Sequence, residues 1–343
     1  MKHYLVTGGC GFVGSNIAHR LLRDGAKVTL FDNLSRKGSS ENLEWLRGCG
    51  DPGFIAGDVA DREQIGRAVR ETRPDVIFHL AGQVAMTTSV ENPMRDFQTN
   101  VVGSVNLLEA VRAECPGASV LYSSSNKVYG ALAVVNLREE EFRYAAPDVP
   151  NGIGEDAPLD FRTPYGCSKG AADQYFLEYA RTYGLKTAVF RHSTIYGGRQ
   201  QSTYDQGWVG WFCQQALDQK NNPAMEPFTI SGDGKQVRDL LYVDDAVDCY
   251  LAAAEQIGNV AGQAFNIGGG IANSSSLLEL FQELEKLLGI RLNFTHKEWR
   301  HEDQRFFVAN NSKIRAATGW TPQVAREEGV AKTLEWMRGC RIP

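Results

Sequence analysis

The stretch Thr7-Gly8-Gly9-Cys10-Gly11-Phe12-Val13-Gly14 limits the possible folds of this chain more than any other. Tyr4-Leu5-Val6 before it reads as a short buried strand. After it, Ile17, Ala18, Leu21 and Leu22 recur at the spacing of an amphipathic helix. A strand that becomes a helix within so few residues needs a tight turn. Glycines at 8, 11 and 14 permit that turn and let backbone N–H groups approach a pyrophosphate at the helix N-terminus. A second strand, Lys27-Val28-Thr29-Leu30-Phe31, ends at Asp32. A carboxylate about 20 residues past the glycines suits an adenosine ribose diol and repels a 2′-phosphate, which predicts NAD rather than NADP. Arg36 and Lys37 are read as a solvated loop.

Strand and helix keep alternating. Phe54 to Val59 is read as a third strand, with Asp58 placed to meet the adenine amine. Gln64 to Arg73 is a helix, and Val76 to Leu80 a fourth strand that runs into Ala81-Gly82, where small residues let a cofactor lie against the backbone. A helix over Asn100 to Cys115 is apolar at Val101, Val105, Leu107, Leu108 and Val111, wider than one core stripe needs, which predicts a subunit contact. Ala118 to Ser125 is a strand turning polar at its C-terminal end, the end where ligands sit in open parallel sheets. Between Gly130 and Thr163 the periodicity vanishes, and this long loop is expected to form part of the substrate-site wall. Lys186 to Phe190 is a strand. Past residue 199 the alternation breaks down, although Leu240 to Glu255 and Ala264 to Ile267 read as one more helix and strand of the main sheet.

In Thr163-Pro164-Tyr165-Gly166-Cys167-Ser168-Lys169, Thr163 is suited to cap a helix and Pro164 to its first position. Tyr165 and Lys169 then share one face. A phenol titrates near pH 10, too high for proton transfer at neutral pH, and a nearby ammonium favours the phenolate. The pair is therefore a candidate general base with its tuning cation.

Composition closes off other classes. The formal charge of −5 gives no basic footprint for nucleic acid. No apolar run reaches a membrane span of roughly 20 residues, and Met1 leads almost directly into the first strand, which predicts neither a membrane location nor a signal peptide. Seven scattered cysteines and six histidines show no ligand spacing, so no metal is expected, and reduced thiols suit a cytoplasmic protein.

Taken together, these motifs resemble the extended short-chain dehydrogenase/reductase family, in particular its nucleotide-sugar epimerases and dehydratases. The likeness is carried by the glycine motif, Asp32, Asp58, the Leu80-Ala81-Gly82 turn, Asn100, Ser125 and the Tyr165/Lys169 pair, in order and over nearly the whole chain. It implies an α/β fold: a doubly wound parallel-sheet Rossmann domain (1–190 plus about 237–268) that binds NAD, and a smaller mixed α/β substrate domain (about 191–236 plus 269–343). Cofactor contacts would come from Gly8, Gly11, Phe12, Val13, Gly14, Asp32, Asn33, Asp58, Val59, Leu80, Ala81, Gly82, Asn100, Tyr165 and Lys169. Catalysis would rest on Tyr165 as base, Lys169, and Ser125 against the reacting hydroxyl. Thr194, Arg238, Arg300 and Asp303 would hold the substrate, with the arginines clamping a diphosphate.

Within the family, the stretches Ala81 to Ser89, Ser125 to Gly130, Tyr204 to Phe212 and Ser231 to Asp239 resemble the enzymes that invert C2 of CDP-linked hexoses. That implies transient oxidation by NAD and return of hydride to the opposite face. A UDP-sugar 4-epimerase, a 4,6-dehydratase and a non-catalytic NAD sensor are the alternatives. Dehydratases carry acids directly after the serine or threonine, where this chain has Asn126 and Lys127. Relatives also imply a homodimer or homotetramer through a four-helix contact.

Overall fold

The computed structural model describes residues 1–299 and 302–339. Its largest sheet has seven strands: β1 (His3–Thr7), β2 (Lys27–Asp32), β3 (Gly53–Ala56), β4 (Val76–His79), β5 (Ser119–Ser123), β6 (Lys186–His192) and β7 (Gln263–Ile267). They pair in the order β7-β6-β5-β4-β1-β2-β3, every pairing parallel.

Alternate residues in a strand face opposite sides, so a sheet covered by helices on both faces needs near-continuous apolar strands. Leu5, Ile77, Val120 and Val189 enter one core with Leu107, Leu108 and Phe176 from the covering helices. Their neighbours Val6, Phe78, Leu121 and Phe190 enter the other core, with Ile17, Leu21 and Tyr250. Each fully buried side chain of this size contributes about 1.5–3 kcal/mol. The third strand is shorter than expected, because Gly57 presses against the Phe31 ring and Asp58 accepts the Ala60 N–H (2.9 Å) to start a turn.

The strand order reverses between β1 and β4, the crevice at which open α/β sheets bind ligands. The backbone there is drawn together. A Cβ on Gly14 would lie 2.2 Å from the Gly8 carbonyl oxygen, and one on Gly8 (φ 68°) would lie 2.7 Å from the Ala81 nitrogen.

A second group of strands lies past the C-terminal ends of β5 to β7. Val237–Tyr242 pairs with Ser274–Ser276, Phe306–Phe307 and Thr194–Tyr196, while Phe228–Ser231 pairs with Phe294–Lys297. By sequence, Leu240 to Tyr242 reads as the start of a helix of the main sheet. It instead completes a strand outside that sheet, and the helix starts at Val243. Leu241 of this strand packs into the main core, whereas Leu240 and Tyr242 pack into the second core. That second core joins the helices Trp208–Asn221, Leu277–Leu288 and Arg326–Gly339 through the rings of Phe212, Phe228 and Phe281. Phe212 meets Phe281 edge-on at 4.9 Å. Ser276 and Glu279 form a capping box at the start of the Leu277–Leu288 helix.

The 131–162 loop does not form the substrate-site wall that its length suggested. Leu132, Ala146 and Ile153 pack with Val237, Phe306 and Phe307, and Ile153 donates to the Val308 carbonyl (2.7 Å), so the loop buttresses the second sheet from outside.

Candidate active site

Two cavities open above the C-terminal edge of the main sheet. The larger, about 580 Å³, is lined by Gly8, Gly11, Phe12, Val13, Gly14, Asp32, Asn33, Asp58, Val59, Leu80, Ala81 and Gly82, every one of them expected from sequence. Asp32 is buried at the end of β2. Its carboxylate accepts the Cys10 N–H (3.0 Å) and the Leu34 N–H (2.8 Å), which fixes it while leaving lone pairs for a diol. The closed glycine turn, the helix N-terminus at Phe12 and this carboxylate fit a dinucleotide of the NAD type. Arg199, Gln200 and Gln201 reach the same cavity from beyond β6, and Arg199 stacks on Trp45 at 3.9 Å, contacts that no local pattern announces.

Asn100 is placed differently from its expectation. It lies in a π-helical turn, Gln98–Val102, and is buried behind the cavity wall. Its side chain accepts the Gln83 N–H (2.9 Å) and donates to the Gln83 carbonyl (3.1 Å) and to Ser168 Oγ (2.9 Å), which ties the 81–83 turn to the Tyr165 helix.

That helix runs Thr163–Tyr183. The helix starts one residue earlier than expected: Arg162 holds the capping position without a side-chain bond, Thr163 is the first helical residue, its Oγ1 accepting the Gly166 N–H (3.3 Å), and Pro164 is the second. The Tyr165 N–H donates to Ser89 Oγ (3.2 Å). Lys169 Nζ donates to the Ser123 carbonyl (2.8 Å) and lies 5.0 Å from the centre of the Tyr122 ring. The electrostatics depart from what spacing suggested. Burial pushes the Tyr165 phenol up to about 12, only partly offset by the Ser125 hydroxyl, with Asp96 adding to the rise. Burial also holds the Lys169 ammonium down to about 8, against the pull of Asp96 and Asp173. Burial is thus the largest influence on Tyr165, and it works against the phenolate that a base needs.

The smaller cavity, about 270 Å³, is lined by Ser125, Asn126, Lys127, Tyr165, Thr194, Arg238 and Asp303 among others. Ser125, Thr194, Arg238 and Asp303 are therefore brought to one place, and Arg300 lies outside the described residues. Arg238, on the Val237–Tyr242 strand, donates to Asp303 Oδ1 (3.0 Å) and to the Gln304 carbonyl (2.6 Å). Lys127 Nζ lies 3.4 Å from the same Asp303 oxygen. Tyr204, Trp208 and Trp211 supply an aromatic wall that sequence reading left without a role, although Trp208 and Trp211 share a helix face and so carried a signal. Trp208 Nε1 donates to Thr194 Oγ1 (3.1 Å). Among the described residues no group of histidines, cysteines or carboxylates is arranged to hold a metal ion, and no helix is long and apolar enough to cross a membrane.

A parallel sheet in this strand order, a dinucleotide cleft and a Tyr/Lys/Ser cluster at its edge define a class, and the chain belongs to the NAD dependent epimerase/dehydratase family, whose model matches residues 4–268. Among curated relatives it is 53% identical to a CDP-paratose 2-epimerase of Salmonella typhi, over 97% of this chain and 98% of that one. It is 35% identical to a UDP-glucose 4-epimerase of Mycolicibacterium smegmatis over 97% of this chain and 98% of that protein. Among solved structures, a UDP-glucose 4-epimerase from Thermotoga maritima with UDP-glucose superposes with a TM-score of 0.83 at 33% identity, covering 98% of this chain and 99% of the other.

Proposed function

We propose that the chain is an NAD-dependent epimerase that inverts C2 of a CDP-linked hexose, CDP-paratose to CDP-tyvelose, with CDP-glucose and CDP-mannose as a further pair. The observation that carries this reading is 53% identity along nearly the whole of a CDP-paratose 2-epimerase. Bound NAD supplies the oxidising, positively charged nicotinamide ring and, once reduced, the hydride that comes back. The chain's own groups do the rest. Tyr165 takes the proton of the sugar hydroxyl and returns it to the ketone oxygen. Ser125 would fix that oxygen, and Lys169, which holds the helix to the Ser123 carbonyl, would bind the nicotinamide ribose. Arg238 and Arg300 clamp the diphosphate, and Asp303 and Thr194 bind alongside. Trp208 and Trp211 exclude water from the keto-sugar. Asn126, a neutral amide, has no proton to deliver to a leaving hydroxyl, which disfavours dehydration.

Residues 1–190 with about 237–268 carry the cofactor in this reading, and about 191–236 with 269–343 carry the nucleotide sugar. It also carries a cytoplasmic location and a homodimer or homotetramer. Phe97, Tyr175 and Tyr183 are exposed on or beside the helices expected to meet a second copy.

The test is a substrate panel followed by proton NMR. CDP-paratose or CDP-glucose is expected to invert at C2 while UDP-glucose is left unchanged. Inversion confined to C4 of UDP-sugars would transfer the chain to the 4-epimerases.

A further inference from the structure

Asp96 takes no part in the chemistry described above, yet it is wholly buried beside the Tyr165 helix. It lies on the short helix Pro93–Phe97. Its Oδ1 accepts from Gln83 Nε2 (2.9 Å) and from Asn100 Nδ2 (3.3 Å), both neutral amides. A carboxylate taken out of water needs a positive charge close by. Burial raises the pKa of Asp96, and Ser168, Gln83 and the charge of Lys169 offset part of that rise. The acid and the lysine are linked through Asn100. A Cβ on Gly82 would lie 3.0 Å from Asn100 Oδ1 and 3.2 Å from Lys169 Nζ, so amide and ammonium close on one glycine. Lys169 has a second acid in reach, Asp173, but both oxygens of that carboxylate are bound by Arg191 at 2.9 Å. Asp173 is thus largely neutralised by its own cation, whereas Asp96 is held by amides.

We propose that Asp96 is a positioning residue: its carboxylate is the counter-charge that keeps Lys169 an ammonium inside the protein. This rests on the roles given above to Tyr165 and Lys169. Burial drives Lys169 toward its neutral form, and Asp96 is the largest influence in the opposite direction. The same negative charge works against the Tyr165 phenolate. One buried acid therefore sets the pH range in which base and cation are both in their working forms.

The test is Asp96→Asn in the NAD-loaded enzyme. Both hydrogen bonds to the side chain end on Oδ1, so the amide oxygen of asparagine can accept them while the charge is lost. Loss of that charge favours the Tyr165 phenolate and disfavours the Lys169 ammonium. The acidic and basic limbs of kcat/KM should therefore both move to lower pH. An opposite charge within about 4–6 Å shifts a pKa by 1–3 units, and acting past the Asn100 amide the shift should be about half a unit to one unit. The other titratable groups around Lys169 are Tyr165 and Asp173 on its own helix, Tyr122 on β5, His79 on β4 and His192 on β6. Burial holds both imidazoles down to about 3. Lys127, Asp205, Arg238 and Asp303 face Tyr165 across the smaller cavity, and Arg95 beside Asp96 is exposed. All of these remain in the variant. A folded, NAD-retaining Asp96→Asn whose basic limb stays at or above the wild-type pH overturns the assignment, whatever its kcat. Asp96→Glu keeps the charge and should keep both limbs in place, even where its longer side chain lowers kcat. Limbs that move as far with glutamate as with asparagine mark a structural effect and also overturn it. If Asp96→Asn does not fold, the smaller neutral Asp96→Ser is read in the same way. Failure of the underlying roles shows separately, as wild-type activity in Tyr165→Phe or Lys169→Met.

Discussion

Tyr165→Phe is expected to lose about 10²–10⁴-fold in kcat, the usual share of a positioned acid–base group, while keeping its bound NAD. The ring fills the same space at the start of the Thr163–Tyr183 helix, and the contacts that anchor that turn do not use the phenol oxygen. They run from the Tyr165 N–H to Ser89, from Gly166 to Thr163, and from Lys169 to Ser123. Removing the hydroxyl therefore removes the proton acceptor without moving its surroundings. Turnover, together with the NAD released on denaturation, measures both halves of the expectation. A variant with full cofactor content and more than about a tenth of wild-type activity would remove Tyr165 as the base, since acid–base groups contribute at least 10²-fold.

The second large effect concerns stability. Asp173, wholly buried on the same helix, accepts two hydrogen bonds from Arg191 of β6 (2.9 Å each) and one from Ser124 Oγ (2.9 Å). Arg191 also donates to the Tyr129 hydroxyl (2.9 Å), which itself donates to Asn266. Arg191→Met leaves a buried carboxylate without its cation, and such losses cost about 3–5 kcal/mol. Combining Arg191→Met with Asp173→Asn removes the stranded charge, and the pair should be more stable than Arg191→Met alone. Denaturant unfolding of the three proteins checks the order. Equal stability of wild type and Arg191→Met would contradict the assignment. Because Ser124 immediately precedes Ser125, the same variant should also lower turnover.

What could be read from sequence was mostly local. The glycine turn declares itself within one strand and one helix, because its geometry excludes side chains, and all the glycine-turn and strand-end residues expected to contact the cofactor line one cavity. Tyr165 and Lys169 are legible for the same reason, being one turn apart on a single helix. Their pKa values were not legible, because spacing says nothing of desolvation, and burial proves the largest influence on both. Asn126 and Gln304 are separated by 178 residues in the chain, so no pattern could join them. Their meeting depends on how Phe306–Phe307 pairs with Val237–Tyr242. The 131–162 loop was misplaced because absence of periodicity marks a loop without saying which surface it covers. Asn100 illustrates a further limit, since its side chain is occupied by Gln83 and Ser168 and supports the cofactor cleft from behind.

In the proposed reaction a sugar carbon is oxidised and then reduced by the same hydride, with only the hydroxyl proton passing through Tyr165. Epimerisation of CDP-paratose in deuterated water, with C2 of the product read by NMR, separates this route from deprotonation at carbon. Inversion at C2 with protium retained there is expected, because the hydride leaves to the cofactor and returns without meeting solvent. Deuterium at C2 of the inverted sugar would mean that the carbon was deprotonated instead, and would contradict it.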